Sequence, residues 1–184
     1  MLFAEVERSF GIPELVVHNI DGRTMEIFRK PLIEAEPVHV AATLERSAMS
    51  AFLVAQQTAR CLLERPLPPN GHRGTLIITN ASAALKGYPN SAAFAMACHA
   101  KSGFAQSMAR ELMPQGIHVA HVPIDAAVAL QRDDGSRAHW SGAAAEEDNM
   151  AYPEHIAEVY LQLHRQHRST WAFEVVLRPW QERW

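Results

Sequence analysis

The sequence predicts an α/β fold in which a parallel sheet is covered by helices on both faces. Residues 75–79 and 117–124 form continuous apolar runs, which are typical of strands buried on both faces. Residues 42–64 and 92–112 carry apolar side chains at helical spacing. Because strand and helix patterns alternate along the chain, we expect the strands to run parallel.

The composition indicates one globular domain over residues 1–184. Hydrophobic residues make up 48% of the chain and the net charge is -3, so we expect a real core and neither nucleic-acid binding nor attraction to a membrane surface. The two cysteines lie in apolar segments and indicate free thiols in a reducing compartment. No signal peptide or membrane-length apolar run is present, which favours a cytoplasmic protein.

The first half of the chain predicts a short helix over 2–9 and a β-branched strand over 15–17. Residues 19–36 are expected to be irregular, with one helical turn around 31–35. The long helix over 42–64 ends ahead of Pro66, because a residue before proline is driven away from the helical conformation.

The second half begins with the strand over 75–79 and continues with the helix over 92–112, which Pro114 and Gly116 end. After the strand over 117–124 comes a long polar segment, 125–149, of the kind that forms a lid, a binding loop or a disordered loop.

The chain then ends on two predicted elements. Pro153 suits the first position of a helix that runs to about Gln166. A last strand is predicted over 171–177.

Parallel sheets place functional loops at the carboxyl ends of their strands. On this chain those loops are 19–22, 80–88 and 125–149.

One stretch of the second half carries a longer pattern, GTLIITNASAALKGYPNSAAFAMACHAKSGFAQSMARELMPQGIHVAHVPIDAAV. It resembles the second half of a short-chain dehydrogenase/reductase, and AQSMARELMPQGIHVAHV is its most specific part. ELVVHN resembles the family's strand that ends in Asn-Asn-Ala-Gly, with Asn19 as one of the asparagines. The ending FEVVLRPWQERW is similar to the C-terminus of one subgroup. The resemblance implies a Rossmann-like, doubly wound parallel sheet.

The sequence departs from the family where the dinucleotide phosphates would bind. Family members open with a strand, a Thr-Gly-x-x-x-Gly-x-Gly loop and a helix, whose N-terminus meets the pyrophosphate. These 184 residues contain no such loop. We therefore expect a truncated member with an incomplete sheet that lacks the first strands of the nucleotide-binding half. The strand over 15–17 would then be an apolar edge that a partner chain or a loop has to cover.

The sequence also departs from the family in its catalytic residues. The resemblance implies a Tyr, a Lys four residues later, a Ser and an Asn. Aligned without gaps, these positions hold Phe94, Cys98, Ala81 and, less securely, Ser47. Phe94 has no phenolic proton to transfer and Cys98 supplies no fixed cation. No tyrosine of the chain has a lysine four residues later, so a shift of register does not restore the pair.

Two polar residues lie near these degenerate positions. Ser82 follows Ala81, and Lys101 is three residues beyond Cys98, so it should face a similar side of the helix and could reach the old site. The family's Pro-Gly loop is replaced by Ile-Asp-Ala at 124–126. The resemblance therefore leaves only weak, vestigial cofactor positions, at Asn19 and Asp125.

Other kinds of site are less favoured by the sequence. His164 and His167 could share a helix face, but no Cys or acid stands at a convincing ligand spacing, so we expect no metal site. A hydrolase triad of Ser82, Asp125 and a histidine lacks the Gly-x-Ser-x-Gly elbow.

Three hypotheses on function follow. The first is a non-catalytic homologue without a cofactor, acting as a homo-oligomer or as a hetero-oligomer with a related dehydrogenase. The resemblance implies that the helices at 42–64 and 92–112 pair across a two-fold axis. The second is an NAD- or NADP-dependent oxidoreductase whose cofactor segment lies upstream. The third is a fragment without an independent function.

Overall fold

The computed structural model describes residues 2–139 and 149–182. Its main sheet has three parallel strands in the order β1 (Leu15–His18), β2 (Gly74–Ala81) and β3 (Ile117–Ile124). The predicted α/β class with a parallel sheet is therefore confirmed. Within the described ranges no strand pairs with the outer edge of β1, which is consistent with the predicted incomplete sheet.

Five α-helices are formed by the described residues, and their bounds are α1 (Leu2–Phe10), α2 (Pro37–Leu44), α3 (Ser50–Glu64), α4 (Ala92–Leu112) and α5 (Pro153–Arg165). A π-helical turn over Glu45–Met49 joins α2 to α3. The predicted start of this long helix at residue 42 was wrong. The helix begins at Pro37, whose fixed backbone angle suits the first turn. In the described part of the chain, no helix is both long and apolar enough to cross a membrane.

The two faces of the sheet carry separate apolar clusters, because successive side chains of a strand point to opposite faces. On one face, Leu76 and Ile78 of β2 pack with residues of α3 and α4, including Leu62 and Met108. On the other face, Ile77 packs with residues of β3 and α5. The result is three layers, with helices on both sides of the sheet.

The predicted last strand is present only in part. Residues 173–177 run parallel to β3 through isolated bridges and four backbone hydrogen bonds. The His121 amide donates to the carbonyl of residue 173, and the His121 carbonyl accepts from the Val175 amide. The Leu177 amide donates to the carbonyl of residue 123, and the Leu177 carbonyl accepts from the amide of residue 125. The segment follows the edge of the sheet without forming a continuous strand.

The loop after β3 is more ordered at its start than predicted. It contains a small antiparallel pair, β4 (Leu130–Gln131) with β5 (Arg137–Ala138). The rest of the predicted 125–149 loop, residues 140–148, lies outside the described residues. In the first loop region, a 3₁₀ turn over Leu32–Glu34 matches the predicted helical turn.

Candidate functional site

A cleft of about 360 Å³ opens at the carboxyl end of the sheet. Its lining comes from the ends of β1, β2 and β3 together with α4, namely Asn19, Ile20, Asp21, Arg23, Thr79, Asn80, Ala81, Phe94, Lys101, Ile124, Ala126, Val128 and Leu130. The cleft therefore lies where the three predicted loops meet. The parallel arrangement places it there, because the strand ends converge on one edge.

Phe94 occupies the wall of this cleft. Its side chain is buried, and the guanidinium carbon of Arg23 lies 4.2 Å from the centre of its ring. Arg23 is also ion-paired to Asp21 at 2.9 Å. A cation over an aromatic face is an attractive contact, so the ring holds Arg23 across the cleft and carries no transferable proton.

Lys101 also reaches the cleft, as the helical spacing predicts. It is 2% exposed, and its Nζ donates to the carbonyl oxygens of Ile20 at 3.2 Å and Thr79 at 3.1 Å. Burial lowers the pKa of this amine, and the nearby Cys98 and Asp21 oppose the shift. The amine thus ties the ends of β1 and β2 together.

Cys98 lies behind the cleft wall instead of lining it. It is a free, fully buried thiol, and burial raises its pKa to about 11. Its carbonyl oxygen accepts a hydrogen bond from Asn80 Nδ2 at 2.9 Å. A protonated thiol in this position is an apolar packing group and is not a nucleophile.

A buried polar chain continues from Asn80. Its Nδ2 lies 2.9 Å from His121 Nε2, and His121 Nδ1 lies 2.9 Å from Glu174 Oε2. Asn80 donates to Nε2, so Nδ1 carries the proton of a neutral ring and donates it to Glu174. Burial lowers the pKa of His121, against the effect of Glu174. This chain joins β2 to β3 and to the C-terminal segment.

His18 closes β1 at the same end of the sheet. It is 2% exposed, and its Nε2 lies 2.9 Å from Ser50 Oγ. Burial, followed by the charge of Lys101, lowers the pKa of His18 to about 4. The ring is therefore neutral at physiological pH and joins β1 to α3.

Several positions singled out in the sequence do not line the cleft. Ser47 is fully buried in the π-helical turn, and its hydroxyl has no hydrogen-bond partner within the described residues. Ser82 also lies off the lining. Asp125 is 3% exposed and paired with Lys86 at 3.3 Å and Arg178 at 3.6 Å. Of the two cofactor positions, only Asn19 lies on the cleft.

Ser47 is covered because Gly22 packs directly on it. Gly22 has a backbone φ of 74°, and a Cβ on this residue would come within 2.6 Å of the Ser47 nitrogen. Glycine permits both the left-handed angle and the close approach. The loop after β1 therefore closes over the position that the resemblance assigns to the catalytic Asn.

The cleft offers little chemistry of the kind that the resemblance implies. Its ionisable lining groups are Asp21, Arg23 and Lys101. The first two neutralise each other, and the third is held by two carbonyl oxygens. These residues do not fit a nicotinamide cofactor in the way the resemblance implies, because Cys98 stands at the lysine position and the Arg23 guanidinium lies over the ring of Phe94.

A metal centre is not formed by the part of the chain that the structure describes. No group of three or more His, Cys, Asp or Glu side chains there is placed to hold a metal ion. His164 instead bonds to Thr75 Oγ1 through Nδ1 at 2.9 Å.

Three residues of the site were missed by sequence reasoning. Asp21 and Arg23 form the ion pair across Phe94, and Asn80 starts the buried polar chain. Asp21 and Asn80 lie within the predicted functional loops, so polar residues at strand ends were the available signal. The contact between Arg23 and Phe94 could not be predicted from the sequence, because it depends on how the loop after β1 folds back over α4.

The chain is similar to known proteins over almost its whole length. Residues 1–174 match the family model described as enoyl-(acyl carrier protein) reductase. Curated protein sequences contain no match to this chain.

Solved structures show the same architecture. A short-chain dehydrogenase from Rhodopseudomonas palustris is 29% identical, with a TM-score of 0.71 over 97% of this chain and 68% of that chain. Acetoin dehydrogenase from Enterobacter cloacae is 21% identical, with a TM-score of 0.76 over 96% and 67%. A 4-hydroxyisoleucine dehydrogenase complexed with NADH is 16% identical, with a TM-score of 0.73 over 98% and 74%.

Proposed function

The chain belongs to the short-chain dehydrogenase/reductase family, and on that premise we propose that it is a non-catalytic member that acts in the cytoplasm by association. The partner that we favour is a second copy of this chain, and the alternative partner is a related dehydrogenase. The observation that carries the proposal is the pairing of Arg23 with the ring of Phe94 at the point where proton transfer would take place.

The chemistry of the cleft supports the absence of catalysis. Reduction of a carbonyl needs a proton donor placed beside the substrate oxygen. Phe94 has no such proton, and the Cys98 thiol is buried with a pKa of about 11. Lys101 is the remaining amine, and both of its observed bonds go to backbone carbonyls.

The faces of α3 and α4 support association. They enclose an apolar groove of about 400 Å³, in which Phe52 and Phe104 face each other with ring centres 5.8 Å apart. Phe52 is 42% exposed and Leu53 is 56% exposed. A two-fold dimer places the same patch of each chain against that of the other. The exposed aromatic side chain of each chain can then pack into the apolar groove of its partner.

The unpaired edge of β1 gives a second reason for association. Val17 is 36% exposed on this strand, and no described strand bonds to its outer side. Such an edge invites pairing with another chain unless it is covered.

We expect the purified chain to form a dimer that Phe52→Glu dissociates, because a charge would be buried at the centre of the interface. The measurement is sedimentation equilibrium over a range of concentrations. Leu161→Glu is the matched control, since Leu161 is 44% exposed on α5, away from the groove. A wild-type chain that stays monomeric and also fails to bind a related dehydrogenase would overturn the association.

The absence of catalysis is tested by titrating the same chain with NADH and NADPH and following the fluorescence of the nicotinamide. We expect no binding in the cleft tighter than roughly millimolar. Oxidation of an alcohol or reduction of a ketone at an ordinary enzymatic rate would show instead that the chain is an oxidoreductase.

A further inference from the structure

A second cleft, of about 540 Å³, lies at the opposite end of the sheet from Phe94. Its lining is dominated by basic side chains and comprises Glu14, Arg65, Pro68, Asn70, His72, Arg73, Gly74, His164, Arg165, Gln166, His167 and Arg168. Gly74 opens β2, whereas Ala81 closes that strand at the first cleft. These two residues of the lining are about 23 Å apart along the strand, at a rise of roughly 3.3 Å per residue.

Four arginines converge on this cleft from three separate segments. Arg65 follows α3 and Arg73 precedes β2. Arg165 ends α5, and Arg168 begins the 3₁₀ turn that follows it. The Arg168 guanidinium passes over Gly71, where a Cβ would collide with it. The fold thus adds Arg65 and Arg73, which are remote in sequence, to the basic run His-Arg-Gln-His-Arg at 164–168.

The positive charge of the cleft is not neutralised by its own surroundings. Glu14 is the one acid among the lining residues and pairs with Arg65 at 3.3 Å. Four arginines against one glutamate leave a net charge of +3 with neutral histidines, in a chain whose net charge is -3. The carboxyl ends of α3 and α5 also point here, and each contributes only about half a negative charge. An excess of roughly two positive charges therefore remains for a ligand.

The arginines differ in whether their guanidinium groups are already bonded to other parts of the chain. Arg73 donates through Nε to the Gln115 carbonyl at 2.9 Å and through a second nitrogen to the Arg65 carbonyl. Arg165 and Arg168 are exposed and carry no ion pair to a described residue. Their guanidinium groups present forked donors that match the oxygens of phosphate.

A pair of histidines forms the inner wall of the cleft. His72 Nε2 and His164 Nδ1 both lie on Thr75 Oγ1, at 3.0 Å and 2.9 Å, with ring centres 5.3 Å apart. One hydroxyl can donate to one ring and accept from the other. Burial, followed by the neighbouring His164, lowers the pKa of His72, while Glu14 opposes the shift.

We propose that this basic cleft binds a polyphosphate, either inorganic or carried by a nucleotide. Its volume falls within the range of small-ligand sites, and arginines from three segments can contact several phosphate groups at once. The proposal is independent of the absence of catalysis, because the residues involved lie at the other end of β2.

The test is isothermal titration of the full chain with sodium tripolyphosphate and, in a second arm, with ATP. We expect saturable binding of one molecule per chain that weakens as salt rises, since exposed charges are screened. Arg165→Ala combined with Arg168→Ala should weaken tripolyphosphate binding at least about tenfold, as expected for the loss of charge-assisted bonds. Equal affinities in the two arms would assign recognition to the phosphates, and tighter binding of ATP would add a nucleoside contact.

The matched control removes two exposed arginines outside the cleft, Arg110→Ala with Arg132→Ala. This variant has the same net charge as the cleft variant and should bind as the wild type does. Equal weakening in both variants, or no saturable binding by the wild type, would overturn the proposal. Nicotinamide binding in the first cleft is distinguishable, because it would survive in the Arg165→Ala, Arg168→Ala variant.

Discussion

The two ends of the parallel sheet use their polar side chains in opposite ways. At the carboxyl end, Lys101 and His18 are each 2% exposed and are bonded to other parts of the fold. At the amino end, Arg165 and Arg168 are exposed to solvent. Lys101 and His18 are thus buried at the carboxyl end of the sheet, whereas two arginines at the amino end stay in contact with water.

This difference indicates where the chain can tolerate change. A buried polar group that loses its partner costs the full free energy of desolvation, whereas an exposed charge costs little to remove. Substitutions at the carboxyl end should therefore change stability, and substitutions at the amino end should change binding.

The largest expected effect is the loss of stability that His18 causes as the pH falls. Its pKa in the folded chain is about 4, against about 6.5 when unfolded. The unfolded chain therefore takes up a proton first as the pH falls from 6.5 to 4, and stability is lost across that range. The loss attributable to His18 is about 3 kcal/mol, from about 1.4 kcal/mol per pKa unit.

The measurement is urea denaturation of the wild type and of His18→Gln at pH 7 and at pH 4. The variant should lose less stability on acidification by that amount, because glutamine does not titrate. His72 is half-buried at the amino end of the sheet, so His72→Gln should change the pH dependence of stability less. An equal effect of the two variants would contradict the contrast between the ends.

The second effect concerns Lys101. In Lys101→Met the side chain keeps a similar length, but the carbonyl oxygens of Ile20 and Thr79 lose their donor. We expect the free energy of unfolding to fall by about 2 kcal/mol, whereas Arg165→Ala should change it by less than about 0.5 kcal/mol. Urea denaturation at pH 7 measures both. Similar values for the two variants would show that the Lys101 amine is solvated instead of bonded to the fold.

The smallest expected effect concerns Phe94. Phe94→Tyr restores the phenol but leaves Cys98 and Arg23 unchanged, so we expect no nicotinamide-dependent reduction of ketones and a stability change below about 1 kcal/mol. Phe94→Leu should cost more, because the ring beneath the Arg23 guanidinium is lost as well. Measurable reductase activity in Phe94→Tyr would mean that a single side chain separates this cleft from catalysis.

Local patterns predicted most of the architecture. The apolar runs of β2 and β3, and the helices that end at residues 64 and 112, follow from periodicity and from proline and glycine signals. The start of the long helix at Pro37 and the incomplete last strand were misjudged. Pro37 was an available signal for the helix start, since proline suits the first turn. The extent of the last strand depends on its pairing with β3, which local residue preference does not set.

The site could be predicted in position but not in its contacts. The spacing from Cys98 predicted that Lys101 would reach the cleft, because residues three apart share a helix face. It gave no sign that two carbonyl oxygens from different strands would bind the amine. The basic cleft is a stronger example, since Arg65, Arg73 and Arg168 are far apart in sequence and meet only at one end of the sheet.

The residues alone determine that Phe94 has no phenolic proton to give and that Cys98 supplies no fixed cation. They also determine the alternation of strands and helices, which arises from local hydrophobic periodicity. The tertiary structure decides which charges are buried and which stay in water. That outcome depends on distances between segments remote in sequence, and these exist only once the sheet has formed.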